Sequence, residues 1–264
     1  MTPRQKLAAV FAVPSHTWQD APAVVADYLK LVSRFGMEET LRTWAEEYVR
    51  HHAGRCLWDA EFLTSNYQFI NCINVGGAPF IFEYLIKQKL QHLDLLSLDI
   101  DPSRFPHVED TLGITVVNID IESPVSSNSS LLNRFQCIVF CEIFEHLRID
   151  LLGTMSFLKT LLAKDGFLYL TMPNGIGKLA LHRWMRGRTG PDPVSEWIKL
   201  RDLGHMGHVR EYSYAEAHDV LVHSGFHVEK YIYRNKIGSL SDRVLTRAVP
   251  ILSDEIVIVA RKAT

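Results

Sequence analysis

Residues 69–80 read FINCINVGGAPF, an apolar run that ends in two glycines. The stretch from Phe69 to Val75 is typical of a buried β-strand, and residues 80–90 have the spacing of a helix. Small residues at such a turn let a ligand approach the backbone, and the free N–H groups at the start of the helix favour polar or anionic atoms. A tight structural turn would explain the same residues, so this motif alone leaves both interpretations open.

The alternation of apolar strands and helices continues along the chain. Further strands are predicted at residues 95–100, 114–119, 137–141, 167–172, 226–233 and 255–260. Helices are predicted to begin after Asp150, which can cap one, and at Tyr214, with Gly225 ending the second. The pattern predicts an α/β fold: a Rossmann-like, doubly wound, mostly parallel sheet of seven strands. A ligand then belongs at the carboxyl ends of the strands.

Two regions depart from this rhythm. Residues 1–66 lack strand alternation and predict a helical N-terminal cap, with one helix ending at Gly36 and a second stopping near Gly54. Residues 67–264 form the main domain, interrupted at about 174–212 by a segment rich in Gly, Arg, Trp and His. A loop of that length in a compact domain is usually functional or mobile. We expect both regions to shape a substrate site, although the cap could also serve only to cover the sheet.

The composition limits the class of protein. The 264 residues include 28 basic and 30 acidic side chains, a net charge of −2, and 47% are hydrophobic. These values exclude a disordered or disulfide-stapled chain and argue against a general nucleic-acid binder. The four cysteines are too few for a disulfide framework, and no apolar stretch approaches the roughly 20 residues of a membrane span. We therefore expect a cytoplasmic protein without a transmembrane segment.

Acidic residues end the second and third predicted strands. Asp99 lies 23 residues after Gly76, and Asp120 ends the third strand. A carboxylate at that offset can accept hydrogen bonds from two ribose hydroxyls, and acids at successive strand ends face one crevice. A nicotinamide dinucleotide fits less well, because Ala78 and Ile81 occupy two of its three glycine positions. The turn therefore favours a mononucleoside.

The order and spacing of these motifs resemble the class I S-adenosylmethionine-dependent methyltransferases over roughly residues 70–262. The segments that carry the resemblance are 74–80 (NVGGAPF), 98–103 (LDIDPS), 118–121 (NIDI), 135–147 (FQCIVFCEIFEHL), 161–174 (LLAKDGFLYLTMPN), 207–212 (GHVREY) and 224–226 (SGF). Asn74 and Gln136 replace acids of the family pattern, and Ala78 and Phe80 replace glycines. The resemblance implies an enzyme that transfers a methyl group from S-adenosylmethionine to an oxygen or nitrogen atom of a small-molecule or lipid-type acceptor.

The resemblance also implies the site residues. The implied cofactor-binding set is Asn74, Gly76, Gly77, Ala78, Asp99, Ile100, Asp101, Asp120, Ile121, Cys141 and Glu142. In this set the two glycines would lie under the methionine part, Asp99 would hold the ribose hydroxyls, and Asp120 would face the adenine amino group. The candidate catalytic residues are Glu142, His146, His205 and His208.

The residues after the fourth predicted strand could instead bind a metal ion. The spacing of Glu142, Glu145 and His146 is similar to that of the 2′-O-methyltransferases that cap small-RNA ends and use a magnesium-type site. His205 or His208 could complete such a site. We favour a site without a metal, because short motifs of this kind are weak evidence. The alternatives are a metal-assisted RNA methyltransferase and a non-catalytic S-adenosylmethionine-binding module, with nucleic acid the less expected partner.

The segment 174–212 also concentrates basic and aromatic side chains. Lys178, Arg183, Arg186 and Arg188 form a local basic cluster. This cluster could meet a phosphate or an anionic lipid headgroup, although a solvated loop explains it equally well. The aromatic residues Trp184, Trp197 and Tyr212 could line an acceptor pocket or pack the loop onto the sheet. The sequence predicts no particular oligomeric state.

Overall fold

The computed structural model describes residues 15–124, 129–203, 207–235 and 240–263. Its strands are β1 (Asn71–Val75), β2 (Asp94–Asp99), β3 (Thr115–Asn118), β4 (Phe135–Cys141), β5 (Leu162–Pro173), β6 (Phe226–Arg234) and β7 (Glu255–Lys262). They form one sheet in the order β3-β2-β1-β4-β5-β7-β6. Strands β1 to β5 pair in parallel, and β7 runs antiparallel between β5 and β6. The predicted seven-stranded, mostly parallel Rossmann-like sheet is confirmed.

Helices cover both faces of this sheet. They are α1 (Ser15–Val32), α2 (Glu39–Asn66), α3 (Ile81–Lys89), α4 (Val108–Leu112), α5 (Leu151–Leu161), α6 (Lys178–Met185), α7 (Pro193–Leu203), α8 (Tyr214–His223) and α9 (Leu240–Ala248). Successive strand residues alternate between two apolar clusters. Cys72 packs with α1, α2 and α3, whereas Ile73 packs with α5 and α8. This alternation is the doubly wound arrangement that the sequence predicted.

Residues close in sequence determine where α5 and α8 begin, on the face of the sheet that contains Ile73. The Asp150 side chain accepts a hydrogen bond from the Gly153 N–H at 2.8 Å and caps α5. Ser213 and Glu216 form a capping box at the start of α8, and Gly225 follows that helix with a φ of 79°. The predicted boundaries at Asp150 and Tyr214 are confirmed, because each depends on side chains close in sequence.

The predicted end of the second helix near Gly54 is wrong. Helix α2 continues through Gly54 to Asn66. A glycine inside a helix costs about 1 kcal/mol relative to alanine. Burial of the apolar stripe on both sides of Gly54 outweighs that cost; the stripe consists of Ala45, Val49, Ala53, Cys56, Leu57, Ala60 and Leu63.

The segment 174–212 is not the loop that we expected, because it contains α6 and α7. The connection between these helices holds Gly187, Gly190 and Pro191, which hide the helical spacing on either side. Trp184 and Trp197 are each 67% exposed, so packing onto the sheet does not bury them. No helix in the described ranges is both long and apolar enough to span a membrane.

Buried ion pairs join α2 to the sheet. Asp59 of α2 pairs with Arg234 of β6 and accepts a hydrogen bond from the Tyr169 hydroxyl of β5. Arg234 also pairs with Glu255 of β7 at 2.8 Å. All of these side chains are almost completely buried. Each charge therefore depends on its partner, since its hydration has been lost.

We expect Arg234→Leu to lower the free energy of unfolding by about 3–5 kcal/mol, because Asp59 and Glu255 would lose their shared guanidinium. Urea unfolding followed by circular dichroism measures this loss. The matched control is Lys30→Leu, whose exposed pair with Asp27 should contribute little. Similar midpoints for the two variants would contradict the structural importance of the buried pairs.

Candidate active site

The candidate site lies at the carboxyl edge of the sheet, where β1, β2, β3 and β4 end. Backbone hydrogen bonds hold the turns after these strands side by side. Gly76 N–H donates to the Leu98 carbonyl at 2.8 Å, and Ile119 N–H donates to the Asp99 carbonyl at 3.0 Å. The residues that follow these strands therefore meet at one edge, which is where parallel α/β sheets bind ligands.

The two glycines after β1 are required by close packing. Gly76 has a φ of 68°, and a Cβ atom there would lie 2.4 Å from the Cδ1 atom of Ile143. A Cβ atom on Gly77 would lie 2.1 Å from Glu83 Oε1 and 2.5 Å from Ser97 Oγ. The tight-turn interpretation thus accounts for both glycines, and contact with a ligand stays a prediction.

A buried carboxylate that the sequence analysis did not single out lies beside this turn. Glu83 of α3 is fully buried, and its Oε1 atom accepts hydrogen bonds from Asn74 Nδ2 and Ser97 Oγ, each at 2.7 Å. Asn74 occupies the position at which the family pattern usually has an acid, so here α3 brings the acid to the turn. Burial raises the pKa of Glu83 to about 7, against the effect of these two hydrogen bonds.

Asp99 ties the turn after β1 to the turn after β2. Its side chain is nearly buried, and it accepts hydrogen bonds from the Asp101 N–H at 2.9 Å and from the Ala78 N–H. Burial raises the pKa of Asp99, and the two N–H groups oppose that shift. The next side chain, Ile100, is 59% exposed at the same edge. A carboxylate beside an exposed apolar side chain is compatible with the hydroxyls and the base of a nucleoside.

The turn after β3 continues this edge. Asp120 and Ile121 are partly buried, and Asp120 Oδ1 accepts a hydrogen bond from the Glu122 N–H at 3.0 Å. The Asn118 side chain donates to the Ile100 carbonyl at 2.9 Å and links this turn to its neighbour. The predicted acids Asp99 and Asp120 therefore follow adjacent strands of the sheet.

Helix α2 reaches the end of β4 through an ion pair. Arg55 Nη1 lies 2.7 Å from Glu142 Oε2, and Arg55 Nη2 donates to the Tyr48 hydroxyl at 2.7 Å. Thr171 Oγ1 donates to the other oxygen of Glu142 at 3.1 Å. Burial alone would lower the pKa of Arg55, but Glu142 and the neighbouring groups hold it well above its usual value. The guanidinium is therefore charged at any ordinary pH.

Burial also raises the pKa of the Cys141 thiol, at the end of β4, well above its usual value, which keeps that thiol neutral.

A second cluster, formed by Glu145, His146 and His208, follows β4. Its possible ligand atoms all lie within 4.8 Å of one another. Glu145 Oε1 is 3.8 Å from His146 Nε2 and 3.7 Å from His208 Nε2. One carboxylate and two imidazoles form a ligand set that divalent transition metals accept. Glu142 does not belong to this cluster in the part of the chain that the structure describes, and His205 lies outside the described residues.

Comparisons with known proteins agree on the fold. No protein-family model matches the sequence, and no curated protein matches it. Among solved structures, the pyocyanin biosynthetic protein PhzM is 17% identical over 83% of this chain, with a TM-score of 0.54, and this chain spans 58% of its length. The mitomycin 7-O-methyltransferase MmcR is 13% identical over 94% of this chain and 67% of its own, with a TM-score of 0.54. An S-adenosylmethionine-dependent methyltransferase from Mesorhizobium loti is 12% identical over 78% of this chain and 97% of its own, with a TM-score of 0.52.

The chain has the fold of the class I S-adenosylmethionine-dependent methyltransferases. On this fold, the predicted cofactor residues lie in the last residues of the first four strands or in the turns after them, along one edge of the sheet. Two catalytic candidates, His146 and His208, come together, whereas Glu142 pairs with α2 instead. Sequence reasoning missed Tyr48, Arg55 and Glu83. Arg55 and Glu83 could have been noticed as charged residues inside the apolar helical runs GRCLW and IFEYL.

We expect the stabilising effect of protonated Glu83 to disappear as the pH rises through about 7. Because the pKa of Glu83 is raised above its ordinary value of 4.5, the folded state holds a proton that the unfolded chain releases. The free energy of unfolding of the wild type, relative to Glu83→Gln, should therefore fall by on the order of 2–3 kcal/mol between pH 5 and pH 8. Denaturant unfolding of both proteins at several pH values measures this difference. A difference that stays constant with pH would contradict the raised pKa.

Proposed function

We propose that the protein is a methyltransferase that uses S-adenosylmethionine and methylates an oxygen or nitrogen atom of a small-molecule or lipid-type acceptor. The observation that carries the proposal is a pair of acids at the ends of adjacent strands, Asp99 at the end of β2 and Asp120 just after β3, with the exposed Ile100 between them in sequence. This arrangement belongs to a sheet whose structural neighbours include a mitomycin 7-O-methyltransferase and an S-adenosylmethionine-dependent methyltransferase. A cytoplasmic location stays a prediction.

The carboxyl edge would bind the cofactor through several turns. Asp99 would accept hydrogen bonds from the ribose hydroxyls, Ile100 would pack on the adenine, and Asp120 would face the adenine amino group. Gly76 and Gly77 would lie beside the methionine part. When bound, S-adenosylmethionine would supply a methyl group on a positively charged sulfur. Transfer of that methyl group releases a neutral thioether, which is a good leaving group. The residues of the chain then contribute orientation and electrostatics rather than covalent chemistry.

The acceptor would approach from the side of α2 and of the segment 174–212. The Arg55–Glu142 ion pair holds the residue after β4 against α2. A hydroxyl acceptor must lose its proton as it is methylated, so it needs a base. His146 and His208 are the candidate bases, because an imidazole can accept a proton and both rings lie together, each within 4 Å of the Glu145 carboxylate.

We expect Asp99→Ala to weaken the binding of S-adenosylmethionine by roughly 1.5–3 kcal/mol, since charge-assisted hydrogen bonds to the ribose would be lost. Calorimetric titration of wild type and variant with S-adenosylmethionine and S-adenosylhomocysteine measures the loss. Asp94→Ala, at the opposite end of β2, is the matched control and should bind normally.

Three outcomes of this titration separate the hypotheses. Unchanged affinity in the Asp99 variant would show that the ribose assignment is wrong. No binding by the wild type at millimolar concentration would contradict the methyltransferase proposal. Binding without transfer of labelled methyl groups to a panel of hydroxyl and amine acceptors would favour the non-catalytic binding module.

The cluster of Glu145, His146 and His208 supports a second candidate, in which a divalent cation assists the transfer. A cation held there could bind the oxygen of a hydroxyl acceptor and make it easier to deprotonate. The RNA version of this candidate has less support, because the chain has a net charge of −2. The metal-assisted candidate therefore concerns a cation bound by the cluster and does not require an RNA substrate.

If the cluster holds a cation, titration with Zn²⁺ or Mn²⁺ should show one site that His208→Ala weakens at least about tenfold. His218→Ala, on α8, is the matched control and should leave that site intact. Glu142→Gln should also leave it intact, since Glu142 pairs with Arg55. Methyl transfer that continues after treatment with a chelator would count against a metal in the reaction.

A further inference from the structure

Helices α6 and α7 expose an unusual number of large apolar side chains. Those exposed by 42% or more are Leu179, Leu181, Trp184 and Met185 on α6, and Val194, Trp197 and Ile198 on α7. No residue of α6 is buried. We call this set the α6–α7 surface. Clustered exposed apolar residues of this size usually mark a site of contact with a protein or a membrane.

Polar side chains, rather than apolar ones, connect these two helices to the rest of the protein. On α6, Lys178 pairs with Asp254 at 3.4 Å, and Arg183 pairs with Glu211. On α7, the Glu196 carboxylate accepts a hydrogen bond from the His208 N–H at 2.9 Å. Polar side chains therefore attach both helices to the body of the protein. The apolar side chains point to solvent, although an amphipathic helix normally turns them inward.

The exposed face of α7 is continuous. Val194, Trp197, Ile198 and Arg201 recur at intervals of three, four and seven residues, so they share one side of the helix. With Pro193 they line an open depression. An apolar stripe that includes tryptophan and ends in an arginine is the composition of helices that lie in the interface of a bilayer.

The charge of this segment also points to a specific kind of partner. Residues 176–203 contain six basic and three acidic side chains, whereas the whole chain has a net charge of −2. Arg186 and Arg188 lie exposed at the connection between the two helices, where Arg188 forms an exposed pair with Asp192 at 3.1 Å. Lys178 and Arg183 pair with acids outside the segment, so the other four basic side chains exceed its three acidic ones by one, and this excess lies beside the exposed tryptophans. Anionic lipid headgroups attract such a patch, and each basic residue near the surface adds to the attraction.

We propose that the α6–α7 surface docks the protein on anionic lipid bilayers. Trp184, Met185, Trp197 and Ile198 would enter the boundary between headgroups and acyl chains, and Arg186 and Arg188 would contact the headgroups. The surface follows β5 directly, so docking would bring the carboxyl edge of the sheet close to the membrane. The proposal does not depend on methyl transfer, because the surface is separate from the residues assigned to the cofactor.

Vesicle sedimentation with the full chain tests this proposal. Vesicles of phosphatidylcholine alone are compared with vesicles that also contain phosphatidylglycerol, at low and at high salt. We expect binding to the anionic vesicles, weaker binding at high salt, and a shift of tryptophan emission to shorter wavelength on binding. Failure to bind anionic vesicles at low salt would overturn the proposal.

Two double variants locate the contact. Trp184→Ser with Trp197→Ser should lower the partition coefficient by roughly tenfold or more, because two large apolar side chains are lost. Arg186→Glu with Arg188→Glu should lower it by roughly tenfold or more on anionic vesicles. The matched control is Ile70→Ser with Val222→Ser, which changes exposed apolar residues away from the surface. Circular dichroism and thermal unfolding confirm that each variant is folded.

Other results would identify a different partner. Equal vesicle binding by the tryptophan variant and the wild type would place the lipid contact elsewhere in the chain and overturn the proposal. Self-association that the tryptophan change abolishes, without vesicle binding by the wild type, would make the surface a contact between two copies of the chain. Titration with S-adenosylmethionine in the absence of vesicles tests the proposed enzyme separately. A failure of membrane docking can therefore be told apart from a failure of cofactor binding.

Discussion

A chain of buried charges joins the cap to the end of the fourth strand, and the geometry of the candidate site depends on it. Asp59 pairs with Arg234, Arg234 with Glu255, and Arg55 of α2 lies 3.9 Å from Glu255 and 2.7 Å from Glu142. These groups come from α2, β6, β7 and the residue after β4. None can move far without leaving another charge in an apolar environment. The position of α2 over the site is therefore determined by electrostatics as well as by apolar packing.

The sheet could be predicted from the sequence because its strands are short apolar runs bounded by polar turns. The run that ends at Val75 is an example, since a strand buried on both faces needs apolar residues throughout. The length of α2 could not be predicted in this way, because the burial that carries the helix past Gly54 comes from the packed structure. Helices α6 and α7 were missed because Gly187, Gly190 and Pro191 interrupt the helical spacing between them.

The parts of the site that follow strand ends were also accessible from sequence. Asp99 and Asp120 end predicted strands, and parallel pairing brings such ends together. The partners of Glu83 and Arg55 were not accessible, because only the tertiary structure brings them near. The residue types still gave a clue. A charged side chain inside an apolar helical stripe must find a partner, and Glu83 finds Asn74 and Ser97 while Arg55 finds Glu142.

The shared guanidinium of Arg234 has a consequence for how this architecture can diverge. It pairs with one acid from the cap and another from the last strand, so a neutral replacement of Arg234 would leave both buried acids without that partner. Evolutionary change there is expected to occur as matched exchanges between segments distant in sequence. A chimera that combined this cap with the sheet of another protein would need residues equivalent to Arg234 and Glu255 in that sheet.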